Sequence, residues 1–113
     1  MQITYDDFEK VDMRLGKIVE VEDFPEARKP AFKLSIDLGH EIGMKKSSVQ
    51  AVGAHTKEEL EGMLVVCVVN FPPKRIASFV SEVLTLGFPN SKGTGWVLVT
   101  PASDSVTLGG RLK

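Results

Sequence analysis

Phe32-Lys33-Leu34-Ser35-Ile36-Asp37-Leu38 is the stretch from which the rest of the chain can be read. Phe32, Leu34, Ile36 and Leu38 fall on one parity, and Lys33, Ser35 and Asp37 on the other. Side chains alternate faces along an extended backbone, so this period of two specifies a strand with one face on a core and one toward water. A helix would scatter the same four apolar residues around its circumference. Gly39 and Gly43 then punctuate a turn.

Upstream, Pro25 and Pro30 bracket Glu26 to Lys29. Proline lacks an N–H and cannot continue a central strand, so this is a connection. Before it, Met13 to Phe24 reads as a long strand in which Val19 and Val21 alternate with Glu20 and Glu22. Met13 and Leu15 share the parity of the valines, Lys17 breaks it, and Ile18 lies on the other face close to Gly16. A glycine inside a strand marks a bulge or tight bend, which a small barrel needs where one long strand serves both halves. Asp6 to Val11 is expected to make one or two helical turns, with Phe8 and Val11 on one face and acidic residues at the start.

Downstream, Lys45 to Val52 reads as a weaker strand. Thr56 and Glu59 then form a capping-box pattern that Gly62 can end, predicting a short helix over residues 56–62. Met63 to Val69 reads as a strand covered on both faces. After Asn70-Phe71-Pro72-Pro73-Lys74-Arg75 come an irregular stretch, a strand at residues 83–86, a turn at 89–93 and a strand at 96–100. Strands on both sides of one short helix fit a five-stranded barrel of the OB type, all-β with short helices. It would carry an N-terminal helical segment and a short C-terminal extension. Pattern alone leaves SH3-like barrels and small sandwiches open.

The 113 residues fall short of the roughly 150 of a typical domain, so residues 1–113 are expected to form one domain. With 42% hydrophobic and 26% charged residues the chain is of the folding kind. The formal charge of −1 excludes a strongly basic nucleic-acid binder, yet the charge is uneven. Residues 1–26 carry three basic and eight acidic groups, and residues 27–100 carry nine and six, so a locally positive face is available to a polyanion. Cys67 is the only cysteine, which excludes an intramolecular disulfide and a cysteine-rich zinc site, and its apolar setting suits a buried structural thiol. The N-terminus lacks the pattern of a signal peptide. The longest apolar run has seven residues against the ~20 that span a bilayer. A cytoplasmic protein with no membrane insertion is the expectation.

Catalytic readings lack parts. No G-x-S-x-G elbow occurs, and His40 and His55 read as solvated turn histidines with no ligand or triad spacing. Gly43-Met44-Lys45-Lys46-Ser47-Ser48 lacks the spacing of a phosphate loop, and Gly93-Thr94-Gly95 lacks the third glycine of a dinucleotide site. No catalytic residue, metal ligand or cofactor is expected. What remains is a binding surface. Arg28, Lys29 and Lys33, then Lys45 and Lys46, then Lys74 and Arg75 could converge with Phe32, Phe71 and Phe79 on one side of a barrel. Such a groove would suit single-stranded or looped nucleic acid, or an extended peptide. Phe32 shares the apolar face of its strand, a core position, whereas Phe71 beside a diproline is poorly explained by core packing.

Asp7-Phe8-Glu9-Lys10-Val11-Asp12-Met13-Arg14-Leu15-Gly16-Lys17-Ile18-Val19 resembles the entry motif of the tRNA-binding domain, an OB-fold module found free-standing and appended to aminoacyl-tRNA synthetases. Phe24-Pro25-Glu26-Ala27-Arg28, the 56–62 helix and Val106-Thr107-Leu108-Gly109-Gly110-Arg111-Leu112 are similar to later landmarks of that module. Gly43 to Ser48, Val68-Val69-Asn70-Phe71-Pro72-Pro73-Lys74-Arg75-Ile76-Ala77 and Ser81-Glu82-Val83-Leu84 resemble its CsaA branch of export-related chaperones. The resemblance covers nearly the whole chain. It implies an OB-fold homodimer, paired with help from the N-terminal helical segment and the C-terminal tail. Such a protein binds unfolded or precursor polypeptides for secretion without ATP or cofactor. The alternative it implies is a structure-specific tRNA-binding module, although no basic tail flanks the barrel. By position it implies a pocket of Phe32 and Lys33 on the second strand, Ser48 and Gln50 on the third, and Asn70, Phe71, Lys74, Arg75, Ser81 and Glu82 around the diproline loop. There Phe71 would hold a peptide and Asn70 and Gln50 would bond its backbone. Lys74 and Arg75 would meet acidic groups or phosphates.

Overall fold

The computed structural model describes residues 1–113. Its elements are α1 (Tyr5–Glu9), β1 (Met13–Asp23), β2 (Phe32–Asp37), α2 (Gly39–Ile42), β3 (Met44–Val49), α3 (Lys57–Leu60), β4 (Leu64–Val68), β5 (Lys74–Ile76), β6 (Phe79–Ser81), β7 (Leu84–Thr85), β8 (Gly87–Pro89) and β9 (Trp96–Leu98). The five-stranded antiparallel sheet has the order β3-β2-β1-β4-β7, and β5-β6 and β8-β9 are separate hairpins. This is the expected OB-type barrel, nearly closed, with α3 between the third and fourth strands.

Alternation in β2 holds: Phe32, Leu34, Ile36 and Leu38 are buried, and Ile36 and Leu38 are wholly so. They join Ile18, Val21, Val49, Val65, Cys67 and Leu60 in one core. Leu60 is the only buried residue of α3, whose Thr56–Glu59 capping box forms as expected. Gly16 is needed for close approach, since a Cβ there would meet the Ile36 side chain at 2.5 Å and Leu38 at 2.9 Å. The bulge lies three residues further on. Ile18 pairs with Ile36 and Glu20 with Ser35, so Val19 is the extra residue. It is exposed while Ile18 and Val21 face the core, which corrects the expectation that Val19 and Val21 share a face.

No backbone ladder joins β3 to β7. Side chains and a few main-chain bonds close that seam. The Glu82 N–H donates to the Lys46 carbonyl at 2.8 Å. The Lys46 N–H donates to the Glu82 carboxylate at 2.9 Å, and the Ser48 N–H to Ser81 Oγ at 3.1 Å. Beneath them the buried Ser47 and Thr85 hydroxyls bond each other at 2.8 Å.

The structure adds elements the sequence did not announce. α2 fills the expected turn, β8 pairs with β9, and β5 and β6 form a hairpin in the stretch read as irregular. α1 begins at Tyr5 under a Thr4–Asp7 capping box, and Val11 lies outside it and exposed. The C-terminal tail lies along β1 where β2 does not reach. The Leu15 N–H donates to Gly110, Gly109 to Leu15 and Leu112 to Met13. Arg14 holds Asp12 at 2.6 Å and the Gly109 carbonyl at 3.0 Å, and Arg111 stands 3.7 Å from the same carboxylate.

Candidate functional site

The diproline loop and the two hairpins rise beside the β3–β7 seam and enclose an open groove of about 600 Å³. Val49 comes from the end of β3, Phe71 and Pro72 from the loop, Ile76 from β5, Val83, Leu84 and Leu86 from around β7, and Trp96 from the start of β9. Phe71 is 54% exposed and Trp96 39%, large apolar surfaces that a folded core would cover. The polar members are Ser48, Gln50, Lys74, Ser81, Glu82 and Thr85.

Of the ten residues implied by resemblance, six line this groove: Ser48, Gln50, Phe71, Lys74, Ser81 and Glu82. Strand periodicity sorts the basic pair. Lys74 and Ile76 share one face of β5 and line the groove, while Arg75 between them projects from the other face. Both Lys74 and Arg75 are exposed and neither takes part in an ion pair. Lys33 lies elsewhere. Its ammonium stands 5.5 Å from the Phe24 ring centroid and 5.9 Å from that of Phe79, and those two rings meet edge to face. This cation–π clasp ties β2 to the β5–β6 hairpin.

Two more of the ten lie outside the groove lining. Phe32 is 7% exposed and belongs to the core, as its parity on β2 requires. Asn70 is spent on the fold: its Oδ1 accepts the Asp12 N–H at 3.0 Å and its Nδ2 donates to the Lys10 carbonyl at 2.7 Å. It pins the loop after β4 to the segment before β1, with one donor and one acceptor site of its carboxamide used in doing so. Gln50 differs, because only its backbone carbonyl is engaged, by the Trp96 N–H at 2.8 Å.

Trp96 is the largest of several groove residues that sequence reasoning passed over. It was read only as the start of a strand, although it is the single tryptophan and follows a Gly-Thr-Gly turn. His55 was also misread. It is half-buried, and its Nε2 accepts the Leu98 N–H at 3.1 Å, tying the segment before α3 to β9. Cys67 is buried as expected; desolvation pushes its thiol up to about 11, against a smaller opposing effect from the Thr85 hydroxyl, so it stays protonated.

The model of a family described as "Putative tRNA binding domain" matches residues 13–109. A methionine–tRNA ligase of Thermotoga maritima is 41% identical over 85 residues, 74% of this chain, and the matched part spans 13% of that enzyme's length. Among solved structures, a CsaA chaperone protein from Picrophilus torridus superimposes with a TM-score of 0.88 at 48% identity, covering 99% of this chain and all of that one. A chaperone CsaA from Bacillus anthracis does so with a TM-score of 0.90 at 42% identity over the full length of both.

Proposed function

The chain belongs to the tRNA-binding-domain family, and from that premise we propose that it acts as a CsaA-type chaperone, binding unfolded or precursor polypeptides for export without ATP. The family is one of binding domains and not a catalytic one. The observation that carries the reading is the apolar groove between Phe71 and Trp96, in a chain similar over its whole length to two CsaA chaperones. Exposed apolar side chains around a concavity suit extended, apolar polypeptide. The same reading places the protein in the cytoplasm; no helix is long and apolar enough to cross a membrane.

Light scattering from an unfolded precursor diluted into buffer without nucleotide tests the proposal. Added protein is expected to suppress the scattering at a near-stoichiometric ratio. Undiminished scattering, with no binding of precursor-derived peptides, would overturn it.

A second reading, a structure-specific tRNA binder, is supported by the family description and by the unpaired Lys74 and Arg75. Nucleic acid is held through several neutralised phosphates, and the groove lining supplies one cation, Lys74. Polypeptide is therefore the better match. Pairing of two copies belongs to the same proposal: Phe88, 69% exposed, stands opposite the exposed Val97 on the β8–β9 hairpin, apolar surface that a second copy would cover. Sedimentation at micromolar concentration should give twice the 12.4 kDa chain mass, and a monomer would refute the pairing.

A further inference from the structure

Peptide-binding grooves beside a sheet commonly work by strand addition, in which the ligand backbone extends the ladder and supplies the affinity. Here the continuous run of free backbone groups that an added strand needs is interrupted beside the groove, where the Gln50 N–H is left free but its neighbours along the edge are engaged. On the outer edge of β3, the Lys46 N–H and carbonyl bond Glu82, the Ser48 N–H bonds Ser81 Oγ, and the Gln50 carbonyl accepts from Trp96. On the opposite wall, the Val83 N–H points to the Lys46 carbonyl and the Leu86 N–H donates to Val66. β5 is a three-residue edge directly behind Pro72 and Pro73, and short edges guarded by proline resist added strands.

Charge narrows the occupant. Lys74 is the one cationic side chain in the lining and has no ion-pair partner. The one carboxylate there, Glu82, already accepts a backbone N–H. Resting on the chaperone reading, we infer that the groove recognises polypeptide by side chains alone: an apolar segment fills the space between Phe71 and Trp96, and an adjacent acidic side chain meets Lys74. The ligand backbone adds no strand to the barrel. A client therefore need not be extended in register, and selection falls on composition.

Trp96, the only tryptophan, lines the groove and reports on its occupancy. The experiment titrates the full chain with a tryptophan-free peptide of leucines and valines beside one aspartate, following Trp96 emission. Matched peptides replace alternate amides by esters, replace the apolar residues by serine, or replace the aspartate by asparagine. An ester removes the N–H donor without adding bulk. The ester series should change the Kd by less than about threefold, within the net worth of a single hydrogen bond. The serine series should weaken binding by more than about tenfold, from lost apolar burial. The asparagine peptide should bind about threefold more weakly to the wild type, a difference that Lys74→Ala abolishes.

Loss of more than about tenfold in the ester series would overturn the inference and leave the groove as a peptide site. An asparagine effect that survives Lys74→Ala would overturn the part assigned to that residue. No response of Trp96 to any peptide, with saturable quenching by tRNA, would overturn the chaperone reading and this inference with it.

Discussion

β1, β2 and β3 are laced by backbone ladders with six paired positions at each junction, whereas from Phe71 to Thr100 no strand exceeds three residues and side chains help close the barrel. The first region buries most of its apolar residues, with Ile18, Leu34 and Ile36 at most 1% exposed and only Val19 and Met44 left outside. The second leaves Phe71, Leu84, Phe88 and Trp96 outside. Folding free energy is thus concentrated in one region and available apolar surface in the other. The separation lets stability and binding be changed independently.

The largest expected effect tests that separation. Ile36→Ala opens a cavity under the ladder region and should cost about 2–5 kcal/mol in urea denaturation. Phe71→Ala should change stability by no more than about 0.5 kcal/mol, because a half-exposed loop ring contributes little packing, while weakening peptide binding. A Phe71→Ala cost comparable to that of Ile36→Ala would make the groove part of the core and break the comparison.

The seam joins the two regions, and Thr85→Val examines it. Loss of the hydroxyl leaves Ser47 Oγ, wholly buried, with only the Ser48 carbonyl at 3.4 Å. The expected cost is about 1–3 kcal/mol. Adding Ser47→Ala removes the stranded group, so the double variant should be more stable than the two single losses sum to. Strict additivity would mean that the two hydroxyls do not interact.

The same division marks what could be read from sequence. β2 was legible because alternation is local, and the 56–62 helix because a capping box needs only four residues. The bulge was not, since Val19 is apolar and in phase with Val21, and only pairing with β2 reveals it as the extra residue. The β5–β6 hairpin was hidden because Ala77-Ser78 carries no glycine, asparagine or aspartate to announce a turn. The structural role of Asn70 was hidden because the partners it bonds lie 58 and 60 residues away. Lys74 and Arg75 are adjacent in sequence, and only strand formation separates them. The apolar groove came from the same side of the chain that resemblance indicated, but its Trp96 wall depends on a hairpin, β8–β9, of which only one strand was foreseen.

A smaller effect concerns the tie between the chain's two ends. The Arg14 hydrogen bond, aided by the charges of Arg14 and Arg111 and opposed by desolvation, holds the Asp12 carboxyl below its ordinary value of 3.8. A carboxyl depressed in the folded state stabilises above its unfolded value, and that contribution is lost as pH falls through the folded value. Asp12→Asn should therefore cost no more than about 1 kcal/mol at neutral pH. The gap from wild type should close below about pH 4. A gap that persists at low pH would assign the effect to packing of the tail, not to charge.

The smallest effect lies in the exposed region. Ala77 has φ = +55°, the only positive value outside glycine, at the first central residue of the β5–β6 turn. Left-handed backbone costs a residue with a Cβ about 1–2 kcal/mol, and glycine returns about 0.5–1 kcal/mol of that through greater freedom in the unfolded chain. Ala77→Gly should thus raise stability by roughly 0.5 kcal/mol, seen as a higher urea midpoint with unchanged slope. Lys74, Ile76 and Ser81 reach the groove from this hairpin, so the same variant measures how far its backbone controls recognition. Unchanged peptide affinity with the higher midpoint would keep strain and binding separate, and altered affinity would show that the turn positions the Lys74 rim.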